Sequence, residues 1–297
     1  MNDDQREPPS PRADRDLSRR DFVALSLATG LAPAALSTEA ALVAAESEVA
    51  IDTADGSCDG AFFHPPSGAY AAVVLWPDAA GLRPAMRDMG RRLAAEGYAV
   101  LVPNLFYRVS KAPQFESAAN VDFQDAATRA KLGPLMGSIN APGAAERDAA
   151  AFVAFLDRQR QVDRTKKIGT QGYCMGGALT FRTAAAVPGR IGAAASFHGG
   201  GLVTEGPDSP HRLAPRIRSR MYVGVAANDD QRQPDAKERL RDAFAAANVP
   251  AEVEVYPARH GWCVADMPTE GGSPIYSAAE AERAWAKLLA LYRASLV

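Results

Sequence analysis

Gly172-Tyr173-Cys174-Met175-Gly176-Gly177 carries the strongest chemical signal in the chain. It has the Gly-x-Ser-x-Gly form with cysteine in place of serine, and it lies between a predicted strand and a predicted helix. A nucleophile on so tight a turn needs neighbours without a Cβ two positions before and two after, which Gly172 and Gly176 supply. The turn aims Cys174 at the start of the next helix, where the positive end of the dipole favours a thiolate. The backbone N–H of Met175 then points toward the oxygen of a carbonyl under attack. Read blandly, Cys174 is a small buried hydrophobe, as many free cysteines are. The two glycines at the required spacing argue for the nucleophile.

A thiol nucleophile needs a base, and the base needs a carboxylate to orient it. Enzymes built on this turn place the acid and then the histidine downstream, each after a strand. Asn228-Asp229-Asp230 closes the predicted strand Met221 to Ala226, and His260 follows the predicted strand Ala251 to Tyr256. His198 also follows a strand and is a rival base, but it precedes the carboxylate, so the order favours His260. Asp229 lies nearer the strand end than Asp230, whose alternative is a capping or solvated carboxylate. The loop after Trp76, Pro77-Asp78-Ala79-Ala80-Gly81, offers the Ala79 N–H as a second oxyanion donor and Asp78 as an acid near the nucleophile. Asp78 also reads as a plain turn residue.

The elements that must hold these residues alternate. The predicted strands are Ala71 to Trp76, Tyr98 to Val102, Lys167 to Gln171, Ile191 to Phe197, Met221 to Ala226 and Ala251 to Tyr256. Between and after them come helices Pro84 to Glu96, Ala144 to Gln159, Met175 to Ala186, Asp235 to Asn248 and Ala278 to Arg293. Such alternation predicts an α/β fold with a mostly parallel central sheet and helices on both faces. Tyr107 to Asn140, mixed in Pro, Gly and scattered apolar residues, reads as an excursion over the site.

The chain has 297 residues, 47% of them hydrophobic, and 33 basic against 35 acidic side chains. That composition fits a large buried core and gives no charge excess for binding nucleic acid or a membrane surface. Two regions are predicted, a leader over 1–45 and one domain over 46–297. The leader has a polar start, then Ser18-Arg19-Arg20-Asp21-Phe22-Val23, then an uncharged run from Phe22 to Thr38, the twin-arginine form of a Tat export signal. Val43-Ala44-Ala45 offers a signal-peptidase site, and the apolar run is short for a membrane span. Tat translocase is therefore the expected export partner and the periplasm or exterior the expected location; a helix retained on the mature protein is the alternative. Three cysteines, Cys58, Cys174 and Cys263, cannot all pair with one another, and the four scattered histidines suggest no metal site.

With Gly-Tyr-Cys-Met-Gly-Gly, Asn228-Asp229 and His260-Gly261-Trp262 in this order, the chain resembles the dienelactone hydrolase (carboxymethylenebutenolidase) family. Pro103-Asn104-Leu105-Phe106-Tyr107-Arg108 and Ser196-Phe197-His198-Gly199-Gly200 extend the resemblance from about residue 50 to the C-terminus. It implies an α/β-hydrolase domain without metal or organic cofactor, with Cys174 as nucleophile, His260 as base and acid, and Asp229 as its orienter. It also implies an acid that meets the resting thiol, usually Glu, here Asp78. Two arginines that grip a substrate carboxylate are implied as well. Arg108 matches the first, whereas Val264 stands at the second, a departure that bears on dienelactone as the substrate and leaves the hydrolytic residues in place. The expected function is hydrolysis of an ester or lactone of a small, carboxylate-bearing substrate through a thioester. The alternatives are a general carboxylesterase or thioesterase on the same site and a periplasmic binding protein without turnover.

Overall fold

The computed structural model describes residues 43–297, so the expected leader lies almost wholly outside the described residues. Eight strands form one sheet: β1 (Ala45–Thr53), β2 (Gly56–His64), β3 (Ala72–Trp76), β4 (Ala99–Pro103), β5 (Ile168–Tyr173), β6 (Ile191–Phe197), β7 (Arg220–Ala226) and β8 (Ala251–Tyr256). Their order is β1-β2-β4-β3-β5-β6-β7-β8, antiparallel at the first two joints and parallel from β4 onward. The helices are α1 (Pro84–Ala95), α2 (Ala126–Asn140), α3 (Ala144–Leu156), α4 (Met175–Ala186), α5 (Ala227–Arg232), α6 (Ala236–Ala246) and α7 (Ala278–Ser295). No helix among the described residues is long and apolar enough to cross a membrane.

The central strands are buried on both faces, which is why they read as unbroken apolar runs. Along β3 the side chains still alternate. Val74 and Trp76 pack with Phe152 and Leu156 of α3 and Phe181 of α4, whereas Val73 and Leu75 pack with Leu93 of α1 and Leu288 of α7. The predicted mostly parallel sheet with helices on both faces is therefore the observed one.

Four elements, β1, β2, α2 and α5, lie outside the predicted set, and two of them show why. β1 is an edge strand with one fully buried side chain, Ile51, so it lacks an apolar stripe; backbone pairing to β2 forms it. The two strands are joined by the tight turn Ala54-Asp55, after which Gly56 opens β2 at φ 131°. Inside the irregular stretch 107–140 lies α2, which contains Gly133, Pro134 and Gly137. Asp125 caps it by accepting from the Thr128 N–H at 2.7 Å, and burial of Leu132, Leu135 and Ile139 outweighs its poor propensity.

The β5–α4 junction is the most tightly constrained joint. A Cβ on Gly172 would lie 2.1 Å from the Gly176 carbonyl oxygen, and one on Gly176 would lie 2.5 Å from the carbonyl oxygens of both Trp76 and Pro77. These neighbours are backbone and cannot rotate away. Gly172→Ala is expected to lower Tm by about 10 °C, the equivalent of roughly 3 kcal/mol in a domain of this size. Differential scanning calorimetry checks this, and a shift under about 2 °C would refute the steric reading.

Candidate active site

Cys174 occupies the junction with φ 53° and ψ −120°, a conformation that costs a non-glycine residue of order 1–3 kcal/mol. Its main chain is held at both ends. The Cys174 N–H points to Phe197 O at 3.2 Å and His198 Nδ1 at 3.0 Å, while its carbonyl accepts from Gly177 N at 3.0 Å and Gly200 N at 3.3 Å. Because Gly176 packs on the Trp76 and Pro77 carbonyls, the loop after β3 lies against the same turn. Neither the Met175 nor the Ala79 N–H donates to a protein acceptor among the described residues. Both are therefore free to donate to a bound oxygen.

The C-terminal ends of β7 and β8 bring in the other groups. Asp229 is carried on α5, directly after β7, and its Oδ2 lies 2.6 Å from His260 Nδ1. Asn228 accepts from the His260 backbone N–H at 2.8 Å, fixing the loop as well as the ring. Asp230 turns the other way and pairs with Lys237 at 2.7 Å, so geometry selects Asp229 of the two. Burial pulls the His260 imidazole down, but the Asp229 carboxylate and the neighbouring Cys174 side chain push it up, to about 10. His198, the rival base, has no carboxylate partner among the described residues; its ring lies 4.9 Å from that of His260 and 5.1 Å from that of Trp262.

Cys174, His260, Asp229, Asp78 and Ala79 all line one cavity of about 790 Å³. Part of the 107–140 excursion does reach it, since Ala118, Val121 and Phe123 form one wall and Met267 and Ile275 another. Asp78 does not bond the thiol. Its oxygens accept from Arg83 Nη1 at 2.7 Å, Arg83 Nη2 at 2.9 Å and the Ala80 N–H at 2.9 Å. Arg83, fully buried, spends its remaining N–H groups on Asp266 at 2.7 and 2.8 Å and on Gly81 O at 3.2 Å. Asp266 in turn accepts from the Ala118 N–H at 2.9 Å. This staple joins the loop after β3, the chain beyond His260 and the cavity wall. It gave no local signal, because Arg83 and Asp266 are far apart in sequence.

The expected carboxylate grip is displaced. Arg108 does not line the cavity; its guanidinium is taken up by the buried Asp148 at 2.7 and 2.9 Å and by Asp55 at 2.7 and 3.0 Å. Val264 is sealed in the core. The arginines that do line the cavity are Arg232, which reaches Asp229 Oδ1 at 3.2 Å, and Arg259. All three cysteines are free thiols.

A sequence model described as the dienelactone hydrolase family matches residues 58–296. The chain belongs to the dienelactone hydrolase family. It is thereby a hydrolase of the ester- and lactone-cleaving class. A carboxymethylenebutenolidase from Pseudomonas putida is 31% identical over 200 residues, covering 67% of this chain and 78% of its own. Among solved structures, a dienelactone hydrolase-like promiscuous phosphotriesterase from metagenomic libraries aligns with TM-score 0.67 at 26% identity, over 85% of this chain and 100% of its own. The dienelactone hydrolase from Anabaena variabilis aligns with TM-score 0.56 at 15% identity, over 86% of this chain and 100% of its own, a likeness of fold.

The upward shift of His260 gives the site a pH signature. A group whose folded pKa is raised stabilises the fold fully below its unfolded value, about 6.5, and loses that contribution as pH climbs through about 10. The Tm gap between wild type and Asp229→Asn should therefore be widest near pH 6 and close toward pH 10, measurable by thermal melts across that range. A gap that stays constant would show that the imidazole is not charged against Asp229.

Proposed function

We propose that Cys174, His260 and Asp229 form a nucleophile–base–acid triad that hydrolyses a small ester or lactone through a thioester. The observation that carries this is His260 on the wall of the same cavity as Cys174, with its Nδ1 held by Asp229 at 2.6 Å, so that Nε2 is the nitrogen left to exchange a proton. Cys174 Sγ attacks the carbonyl carbon, and the oxyanion is met by the N–H groups of Met175 and Ala79, a type of contact worth about 3 kcal/mol. As the C–O bond breaks, the leaving oxygen takes a proton from His260. Water, deprotonated by His260, then attacks the thioester, the C–S bond breaks, and the carboxylic acid departs with the thiolate restored. Thiolate suits activated leaving groups such as enolates and phenolates better than amides.

A broader esterase is the second reading, favoured by the absence of both expected carboxylate-gripping positions from the cavity: Arg108 is neutralised by Asp148 and Asp55, and Val264 is in the core. A carboxylate-bearing substrate would have Arg232 and Arg259 as its cationic partners instead. One panel separates the readings. Lactones and p-nitrophenyl esters, with and without a carboxylate, should be cleaved by the wild type and lost by at least about a thousandfold in Cys174→Ala. A rate preference for the carboxylate-bearing members supports the narrow substrate class, equal rates support the broad esterase, and turnover that does not depend on the thiol overturns the Cys174 triad.

Export by the Tat route is proposed on Arg19-Arg20 and the uncharged run that follows, and is supported by the start of β1 at Ala45, where the leader is expected to end. Replacing Arg19 and Arg20 together with Lys should retain the protein in the cytoplasm of a Tat-competent host. Unchanged export, read by cell fractionation, would overturn this assignment.

A further inference from the structure

His198 follows β6, is almost completely buried, and takes no part in the proton transfers proposed above. Its Nδ1 accepts the Cys174 backbone N–H at 3.0 Å, so the ring must carry its proton on Nε2. That nitrogen is buried without a hydrogen-bond partner among the described residues. The titratable groups around the ring are His260, Tyr173 at 5.9 Å between centroids and Cys174 itself; Trp262 closes the remaining side. Burial, and then the neighbouring His260, hold His198 well below the usual histidine range, so the ring stays neutral and Nδ1 stays an acceptor. The adjoining backbone grips the same residue, through Phe197 O on the Cys174 N–H and the Gly200 N–H on the Cys174 carbonyl. His198 is itself at φ 41°, so a second residue is held in the left-handed region at this joint.

We propose that His198 is a positioning residue for the nucleophile: its neutral imidazole clamps the Cys174 main chain in the strained conformation that keeps the thiol at the start of α4 and beside His260. The clamp deepens the proposed thiol chemistry and rests on it for its effect on turnover, but its effect on the thiol can be read without any substrate. Two variants divide the roles of the ring. His198→Leu keeps apolar bulk and removes the acceptor. His198→Asn replaces Nδ1 with Oδ1 and suits a positive φ.

The experiment measures kcat and KM on p-nitrophenyl acetate, Tm, and the rate of Cys174 alkylation by iodoacetamide, with the site located by peptide mass spectrometry and buried Cys58 as the internal control. His198→Leu should lower kcat about thirtyfold with KM within about threefold, and slow Cys174 alkylation about tenfold. His198→Asn should restore both to within about fivefold of wild type, whatever its Tm. Alkylation in His198→Leu at the wild-type rate or faster overturns the clamp, as does an Asn variant as impaired as the Leu variant. If the wild type hydrolyses no ester yet the alkylation rates separate as stated, the clamp stands and the esterase reading falls.

Discussion

One strained residue organises the molecule. Cys174 is held in a backbone conformation that an L-residue adopts at a cost, and the surroundings over-determine it: glycines at 172 and 176 where a Cβ would strike backbone, and hydrogen bonds on both its N–H and its carbonyl. Those contacts come from β3, β6 and the first turn of α4. The strain is thus borne by the parallel sheet, whose strands fix the relative positions of all three segments.

The same topology explains the cavity. Parallel strands send all their C-terminal ends to one edge, and there β3, β5, β6, β7 and β8 deliver Asp78 and Ala79, Cys174, His198, Asp229 and His260 in turn. Each strand contributes one or two groups, so no short segment contains the site. The Arg83 staple between Asp78 and Asp266 does for the loops what the sheet does for the strands. A buried arginine with both carboxylates in place is satisfied, and losing any member leaves a charge stranded in the interior, a loss of about 3–5 kcal/mol in comparable cases. That accounts for why Asp78 serves the loop architecture here rather than the resting thiol.

The displacement of Arg108 has a related cause. Asp148 on α3 is almost fully buried and needs a cation, and Arg108 is the one that supplies it. Arg108 spends four of its five N–H groups on Asp148 and Asp55, away from the cavity, so the residue that most suggested an anionic substrate is part of an internal ion pair.

The sequence by itself determined the fold class, the elbow and the order of its partners. Alternating apolar strands and amphipathic helices encode a covered parallel sheet, and Gly172 and Gly176 mark a turn with a steric requirement so local that six residues express it. It also narrowed the acid to Asp229 or Asp230 and ranked His260 above His198. Only the tertiary structure decided the pairings: Asp229 to His260 while Asp230 goes to Lys237, Asp78 to Arg83, Arg108 to Asp148, and His198 to the Cys174 main chain. The division follows from range. Propensity and steric demands act between neighbours and leave a pattern in the chain, whereas the choice among several carboxylates for one cation depends on which side chains the sheet brings within 3 Å, and sequence spacing carries no record of that.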